Sequence, residues 1–514
     1  VFDPVKLELF KNAFAAVAEE MGAVLQRTSF SPNIKERRDF SCAVFNRRGE
    51  LIAQAAHIPV HLGSMPLSVK AVIANLELQE GDVGVINDPY RGGTHLPDVT
   101  VVAPVYHEGE LLFFVANRAH HSDLGGISPG SMPLSTELFQ EGLIIPPVKA
   151  VKGGELDQTF LSLLKANSRT PTEREGDFKA QLTALKVGQR RLKELLEKYG
   201  PEVVEVHGDA LLDYAERLTR KFIEKIPDGT YAYGDFLDDD GIGEKPVRLR
   251  VVVKVEGDSA EVDFTGSDLQ TEGPLNCVRA IALSATLYVF RLLQDDEVPT
   301  NEGILRAIKV KTKKGTVVDA RHPAPVSAGN TETSQRLVDV LLGALSKALP
   351  HRVPAASQGT MNNLTFGGEG FAYYETVGGG AGATPWCDGE SGVHTHMTNT
   401  LNTPVEALEY QLPVMVTKYK LRENSGGEGK FKGGDGVVRE FLFLKEAKVT
   451  VISERRSFSP YGLFGGKLGK RGRNLLITQE GKELELPAKF STSVKPGERV
   501  RLETPGGGGW GEKK

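Results

Sequence analysis

Apolar residues mark the start of the chain with a helical stripe. After Asp3-Pro4 they recur at steps of three and four through Leu7, Phe10, Phe14, Val17 and Met21, predicting an amphipathic helix to about Arg27. Alternation of period two then predicts two hairpins. The first runs Phe40–Phe45, a turn at Asn46–Gly49, and Leu51–Gln54. The second runs Val99–Tyr106, a turn at His107–Glu110, and Leu111–Asn117. A helix over Met65–Leu76 fits between them. From Gln158 to about Ile226 the period is helical, with charged faces. Strand signals return at Gly229–Leu237, Val247–Val255 and Glu261–Phe264, and Val278–Leu293 and Thr333–Leu349 read as buried helices. After about Glu409 short strands separated by Gly-rich loops dominate: Val414–Tyr419, Val437–Leu444, Lys448–Ser453, Asn474–Thr478 and Arg499–Leu502.

This asymmetry predicts a mixed α/β and α+β multidomain protein, with a helical segment in its first half and a β-rich C-terminal domain. The expected division is 1–228, a metal-site α/β domain carrying the helical segment; 229–408, a mixed α/β middle domain; and 409–514, the β-rich end. The length of 514 residues supports several domains at about 100–200 residues each.

Composition removes some function classes. A net charge of −5 creates no field that would recruit nucleic acid or an anionic membrane, so neither is expected as a partner. No apolar run reaches the roughly 18–20 residues of a membrane span; the longest, Ala280–Leu293, is broken by Arg291. Cys42, Cys277 and Cys387 lie far apart with no CxxC, and Val1 to Leu25 lacks a signal-peptide apolar region, so a reducing, cytoplasmic setting is expected.

Potential chemistry concentrates between Asn87 and Gly126. Pairing Tyr106 with Leu111 across the second turn and counting back puts Asp98 opposite Ala119, one residue from His120. The hairpin would therefore bring His95-Leu96-Pro97-Asp98 beside His120-His121-Ser122-Asp123. Two imidazoles and one or two carboxylates at one strand end suit a divalent transition metal, whether Zn, Mn, Fe or Co. Asp39 enters the first hairpin in the same way and can add a carboxylate; His57 and His61 follow that hairpin as surrounding or substrate-side groups. The plain alternative is a polar strand end whose His and Asp side chains cap loop backbone. The glycine loops at 378–384 and 504–510 lack the Lys-Ser/Thr of a phosphate-binding loop, and no GxxxxGK[ST] or GxSxG occurs. They read as tight turns and close packing. His394 and His396 could share a strand face, but no carboxylate stands nearby in sequence, which favours a hydrogen-bonded loop.

RRDFSCAVF, AHIPVHLGSM, NDPYRGGTHLPDVTVVAPV, ANRAHHSDLGG, QEGLIIPPVK, SGVHTHMTNTLNTPVE and TPGGGGWG, taken in order, resemble the motifs of the hydantoinase B/oxoprolinase family from end to end. The resemblance implies a subunit that works with a hydantoinase A-type partner of actin-like ATPase fold. Relatives open lactam or cyclic imide rings such as 5-oxoproline or hydantoins with ATP, and others serve in acetone and acetophenone carboxylases. It also implies metal ligands at His95, Asp98 and His120, joined by Asp39, with ATP and Mg on the partner. In such a reaction the partner would phosphorylate the amide oxygen of a small cyclic substrate, and the metal would supply an activated water or hold the phosphorylated species. Asp123 or His121 could then act as general base, and Arg91 or Arg118 could hold a carboxylate or phosphate. A ketone carboxylase subunit and a non-catalytic scaffold for the ATPase are the alternatives.

Overall fold

Two long alternating strands set the centre of the first half. In the computed structural model, which describes residues 3–55, 57–294 and 298–513, they are the middle of a seven-stranded sheet. The chain enters through helices α1 (Pro4–Thr28) and α2 (Pro32–Lys35). The Asp3 carboxylate caps α1 by accepting the Val5 N–H at 3.0 Å, and the apolar stripe Phe10, Phe14, Val17, Met21 and Leu25 is buried. The sheet is built from β1 (Phe40–Asn46), β2 (Leu51–Gln54), β3 (Val83–Ile86), β4 (Asp98–His107), β5 (Glu110–His120), β6 (Val148–Lys152) and β7 (Glu155–Leu156), in the order β2-β1-β5-β4-β3-β6-β7. Helix α3 (Met65–Asn75) lies between the two hairpins, as the sequence predicts. The helical stretch after 158 resolves into α4 (Gln158–Ala166), α5 (Pro171–Tyr199) and α6 (Pro201–Ile223).

The β4–β5 register corrects the sequence expectation by one residue. Tyr106 does pair with Leu111, but the next pair is Val105 with Phe113, so Leu112 is an extra residue. This bulge shifts everything beyond it, and Asp98 stands opposite His120 rather than Ala119.

The pleat sends alternate residues to opposite faces of this sheet. One face, with Val99, Val101, Val115 and Ala119, packs on Phe14 and Met21 of α1 and Phe178 and Leu185 of α5. The other, with Ala43, Phe45, Val102, Phe114 and Ala116, packs on α3 and on buried residues from the middle of the chain.

That middle holds β8 (Gly229–Leu237), β9 (Val247–Glu256), β10 (Ser259–Asp263) and β11 (Ile308–Lys311), with helices α7 (Arg279–Leu293) and α8 (Ser334–Leu345). The sequence pattern predicts this last helix over Thr333–Leu349; in the structure α8 starts one residue later and ends at Leu345. Before it, Gly329–Thr333 forms a separate wide π-type turn. Residues on both sides of position 228, from Ala43 to Leu345, share one apolar cluster.

The last third contains α9 (Val405–Gln411) and nine strands: β12 (Asn363–Gly368), β13 (Phe371–Glu375), β14 (Val414–Arg422), β15 (Gly436–Phe443), β16 (Ala447–Ile452), β17 (Arg473–Ile477), β18 (Glu483–Leu486), β19 (Lys489–Val494) and β20 (Arg499–Glu503). They form two sheets, β13-β12-β16-β19 and β14-β15-β20-β17-β18, which share a core of Phe366, Val449, Val451, Phe441, Phe443 and Val500. The β-rich end therefore draws in two strands from before residue 409. Among the described residues no helix is long and apolar enough to cross a membrane. Cys42 and Cys277 are buried free thiols, and Cys387 is an exposed one.

The glycine loops pack backbone against backbone. Gly380 N–H donates to Pro505 O at 3.0 Å, Gly507 N–H to Gly434 O at 2.9 Å, Gly508 N–H to Ala356 O at 2.8 Å and Gly427 N–H to Gly507 O at 2.8 Å. A Cβ on Gly507 would stand 1.9 Å from Ala381 O, and one on Gly380 would stand 2.0 Å from Gly434 O. Both partners are backbone, so neither can step aside cheaply. Gly507→Ala is expected to cost about 2–4 kcal/mol and to lower the thermal unfolding midpoint by several degrees. A melting curve matching the wild type would contradict this packing.

Candidate metal centre

The β4–β5 register brings the imidazoles and carboxylates together on the sheet face away from α1. Asp98 and His120 are a cross-strand pair, and His95 precedes β4 on a short turn closed by Asp98 N–H to His95 O at 3.2 Å. His95 Nε2 lies 3.1 Å from Asp98 Oδ2, and His120 Nδ1 lies 3.5 Å from Asp98 Oδ1. Each of the three residues can present a ligand atom within 4.8 Å of the others, and all three are buried. Asp39 arrives just before β1, with its Oδ2 3.8 Å from His120 Nδ1 and 3.9 Å from an Arg37 guanidinium nitrogen. His120 N–H donates to Asp39 O at 3.0 Å, which ties β5 to the start of β1.

Hydrogen bonds fix which ring atoms face inward. His95 Nδ1 is 2.9 Å from Ser327 O; a carbonyl only accepts, so Nδ1 carries the proton and Nε2 offers its lone pair to the cluster. A metal-binding histidine generally has its second nitrogen oriented in this way. The Ser41 hydroxyl accepts from Ile58 N–H at 3.1 Å and lies 2.8 Å from His61 Nδ1. Its own proton is thus free to go to His61, leaving His61 Nε2–H toward Asp98 Oδ2 at 3.3 Å. His61 orients Asp98 directly. Tyr374 stacks on His120 with ring centroids 4.3 Å apart and planes 11° from parallel.

Burial opposes charge throughout the cluster, and its neighbours decide the outcome. Burial works to lower the His95 imidazole, but Asp98, with Ser327 O and Asp39, holds it above its ordinary value. Burial works to raise Asp98, but His95, His61 and His120 together hold it well below the usual carboxylate range. Burial wins at His120, which is lowered. Asp98 Oδ1, His120 Nε2 and Asn330 Oδ1 are buried with no hydrogen-bond partner. An unpaired buried polar atom costs about 1–3 kcal/mol, so three in one cluster need an explanation. A divalent cation would account for Asp98 Oδ1, and a donor set of two nitrogens and one or two carboxylates with an oriented histidine suits such an ion.

The remaining sequence-predicted residues stand elsewhere or face another way. His121 falls on the opposite face from His120 by the pleat. Its Nε2 is 2.8 Å from Gln181 Oε1 of α5, and burial, then Arg174, pushes it down to about 4. Asp123 accepts from Gly130 N–H at 3.0 Å, Arg169 N–H at 2.7 Å and the Arg169 guanidinium at 3.0 Å, tying two loops together. Arg118 shares the face of the cluster, but each of its guanidinium nitrogens already donates a bond, to Thr100 at 2.9 Å, Ser64 at 2.6 Å and Ser68 at 2.7 Å. Arg91 is largely exposed, 3.6 Å from Asp88. His57 is on the α1 side of the sheet, accepting Cys42 N–H at 3.0 Å and packing on Phe40. His394 and His396 do not form a pair: the first faces Thr376 and Asn402, the second Tyr288 at 3.1 Å.

Two participants are not evident from the sequence pattern. Tyr374 lies on a strand that alternation does not predict. Asn330 sits on the π-type turn, with its Nδ2 3.1 Å from His95 Nε2 and 3.4 Å from Asp98 Oδ2. A signal is present in the run Asn330-Thr331-Glu332-Thr333-Ser334-Gln335-Arg336, whose polarity is too great for an ordinary core helix, yet every member is buried.

Glu141 supports the centre from behind. Its Oε1 accepts from Ser135 at 2.7 Å, Val326 N–H at 3.0 Å and Ser327 N–H at 3.1 Å, holding the carbonyl that orients His95. Burial, against these donors, pushes its carboxyl from an ordinary 4.5 up to about 7. A raised folded-state value favours folding below the unfolded value, and the benefit is lost as pH rises through the folded one. The swing is roughly 3 kcal/mol between about pH 4.5 and 7. Glu141→Gln keeps an acceptor oxygen and removes the titration. Thermal unfolding of the variant from about pH 5 to pH 8 should therefore decline less with rising pH than that of the wild type. Equal declines would show that Glu141 does not titrate in this window.

Comparison with known proteins gives a consistent picture. The family model described as hydantoinase B/oxoprolinase matches residues 3–513. A 5-oxoprolinase from Dictyostelium discoideum is 43% identical over 521 residues, covering 99% of this chain but 40% of that protein. The chain thus spans about two fifths of that relative's length. A putative subunit of a D-/L-hydantoinase from a Pseudomonas species is 33% identical, covering 99% of this chain and 90% of that one. Among solved structures, an ATP-dependent caprolactamase from Pseudomonas jessenii superposes with a TM-score of 0.92 at 31% identity, over 100% of this chain and 92% of that one. An acetone carboxylase shares the fold, with a TM-score of 0.91 at 18% identity over 99% of this chain and 76% of that one.

Proposed function

The chain belongs to the hydantoinase B/oxoprolinase family, and on that premise we propose that it is the metal-carrying part of an enzyme that opens a cyclic amide at the expense of ATP. The observation that carries the proposal is the buried His95, Asp98 and His120 cluster, in which Ser327 O turns the His95 Nε2 lone pair inward. Names of relatives support the reaction class: 5-oxoproline and caprolactam are both lactams, and hydantoin is a cyclic imide. The proposed ligands are His95, Asp98 and His120, with Asp39 completing the set.

A divalent ion held there supplies a Lewis acid and lowers the pKa of water. The residues around it have separate tasks. His61 donates to Asp98 and helps to fix its carboxylate. Tyr374 covers one face of His120 and excludes water from it. Glu141 positions the Val326–Ser327 backbone that sets the His95 tautomer. His121 and Asp123 keep bonds to α5 and to the 125–130 and 168–170 loops, so the proposal gives them structural work rather than proton transfer.

The ATP-binding half is assigned to a second polypeptide of hydantoinase A type. The Pseudomonas hydantoinase relative is named as one subunit of its enzyme, and the oxoprolinase carries more than half of its length outside the matched region. The test is to assay 5-oxoproline, hydantoin and caprolactam with Mg-ATP, using this chain alone, the partner alone and the two together.

A further inference from the structure

We propose that Asn330 is a metal ligand through its side-chain oxygen, so that the centre is completed from the middle of the chain. This rests on the metal centre proposed above and goes beyond its His/Asp set.

Asn330 is 3% exposed, and its amide is aimed at the two strongest ligand candidates. The NH2 group stands 3.1 Å from His95 Nε2 and 3.4 Å from Asp98 Oδ2, while Oδ1 has no partner. A half-turn about the Cβ–Cγ bond exchanges the two ends of an amide at little steric cost. After that turn the oxygen takes the place of the NH2 group beside His95 and Asp98, and the NH2 group takes the position where the oxygen has no partner. Two ligands on one ion, each about 2.0–2.2 Å from it, stand roughly 3.0–3.5 Å apart at tetrahedral or octahedral angles. His95 Nε2 to Asp98 Oδ2 at 3.1 Å, and the Asn330 amide position to His95 Nε2 and to the same Asp98 oxygen at 3.1 and 3.4 Å, match that spacing.

The backbone that presents Asn330 is rigidly built. Gly329 N–H is held by Pro274 O at 3.1 Å, and a Cβ on Gly329 would lie 1.9 Å from Asn276 O. Ser334 Oγ donates to Asn330 O at 2.7 Å. Two residues on, Glu332 accepts Met361 N–H at 2.9 Å and Asn363 Nδ2 at 2.7 Å, and also bonds Thr360. Single turns of this π type are frequent at functional sites. Here the turn aims the amide across to a sheet formed more than 200 residues earlier in the chain.

The test is Co(II) binding to the purified wild-type chain and to Asn330→Ala, Asn330→Asp and His95→Ala. Asn330→Ala should bind Co(II) about 10–100-fold more weakly, and its visible absorption bands should shift at saturation as water replaces the amide oxygen. Asn330→Asp, matched in size and supplying an oxygen, should restore affinity and bands close to the wild type. An ionised Asp cannot donate a hydrogen bond, so a role as hydrogen-bond donor to the cluster would not be rescued by it. Unchanged affinity and bands in Asn330→Ala, with binding lost in His95→Ala, would overturn this proposal alone. Full binding by His95→Ala would overturn the metal centre itself. Should Asn330→Ala fail to fold, the near-isosteric Asp variant decides: bands far from the wild type would overturn the ligand role.

Discussion

Neither this chain nor the proposed ATPase partner alone is expected to open a lactam ring; mixed with Mg-ATP and substrate, the two should form the ring-opened acid. An unactivated amide carbonyl is a poor electrophile, and a five-membered ring gains little by opening, so the reaction needs phosphoryl activation. A polyphosphate is usually held by consecutive backbone N–H groups with a Lys or Mg²⁺ ligand nearby. The glycine-rich stretches of this chain do not offer that cradle. Gly380, Gly507 and Gly508 already donate their N–H groups to Pro505, Gly434 and Ala356, and no GxxxxGK[ST] is present. In the proposed division of labour a labile phosphorylated intermediate would pass between the chains without meeting water, so an obligate-type interface of about 2,000 Å² or more is expected. Product formed by this chain alone with ATP would contradict the division of labour.

The second large effect concerns His120. In the assembled enzyme, His120→Ala should lower product formation about a thousandfold or more, while the partner still binds ATP. Losing one of the proposed ligands would remove Lewis-acid stabilisation worth several kcal/mol, and each 1.4 kcal/mol is tenfold in rate. The variant should still fold. The Asp39 carbonyl that accepts His120 N–H is a backbone contact that the substitution keeps, and the β4–β5 ladder does not depend on the imidazole. Activity within a few-fold of the wild type would mean that the chemistry lies elsewhere.

Much of this centre is legible in the sequence, because it depends on local rules. Alternation and a tight turn predict the hairpin that joins His95, Asp98 and His120. The one-residue error in its register comes from Leu112, a bulge residue that no alternation pattern marks. Two sorting errors have a shared cause. His120 and His121 are adjacent, yet β5 runs as far as His120 and the pleat separates them. His57 and His61 are separated in the same way: one meets Cys42, the other Ser41, and consecutive residues of β1 face opposite sides. Extending the predicted strand from Asn117 to His120 exposes the first distinction. Asn330 and Tyr374 are beyond the reach of local rules. Their proximity to His95 and His120 follows from packing between segments more than 200 residues apart, and that packing is set by an apolar core that local periodicity does not encode.

The most direct measurement is elemental analysis of the purified chain beside His95→Ala and His120→Ala, with circular dichroism to show that each is folded. The expected result is about one divalent transition-metal ion per wild-type chain and nearly none in either variant, because a cluster of two imidazoles and a carboxylate cannot hold an ion tightly with one imidazole gone. Full metal occupancy in both folded variants would place the ion elsewhere and contradict the assignment of His95, Asp98 and His120.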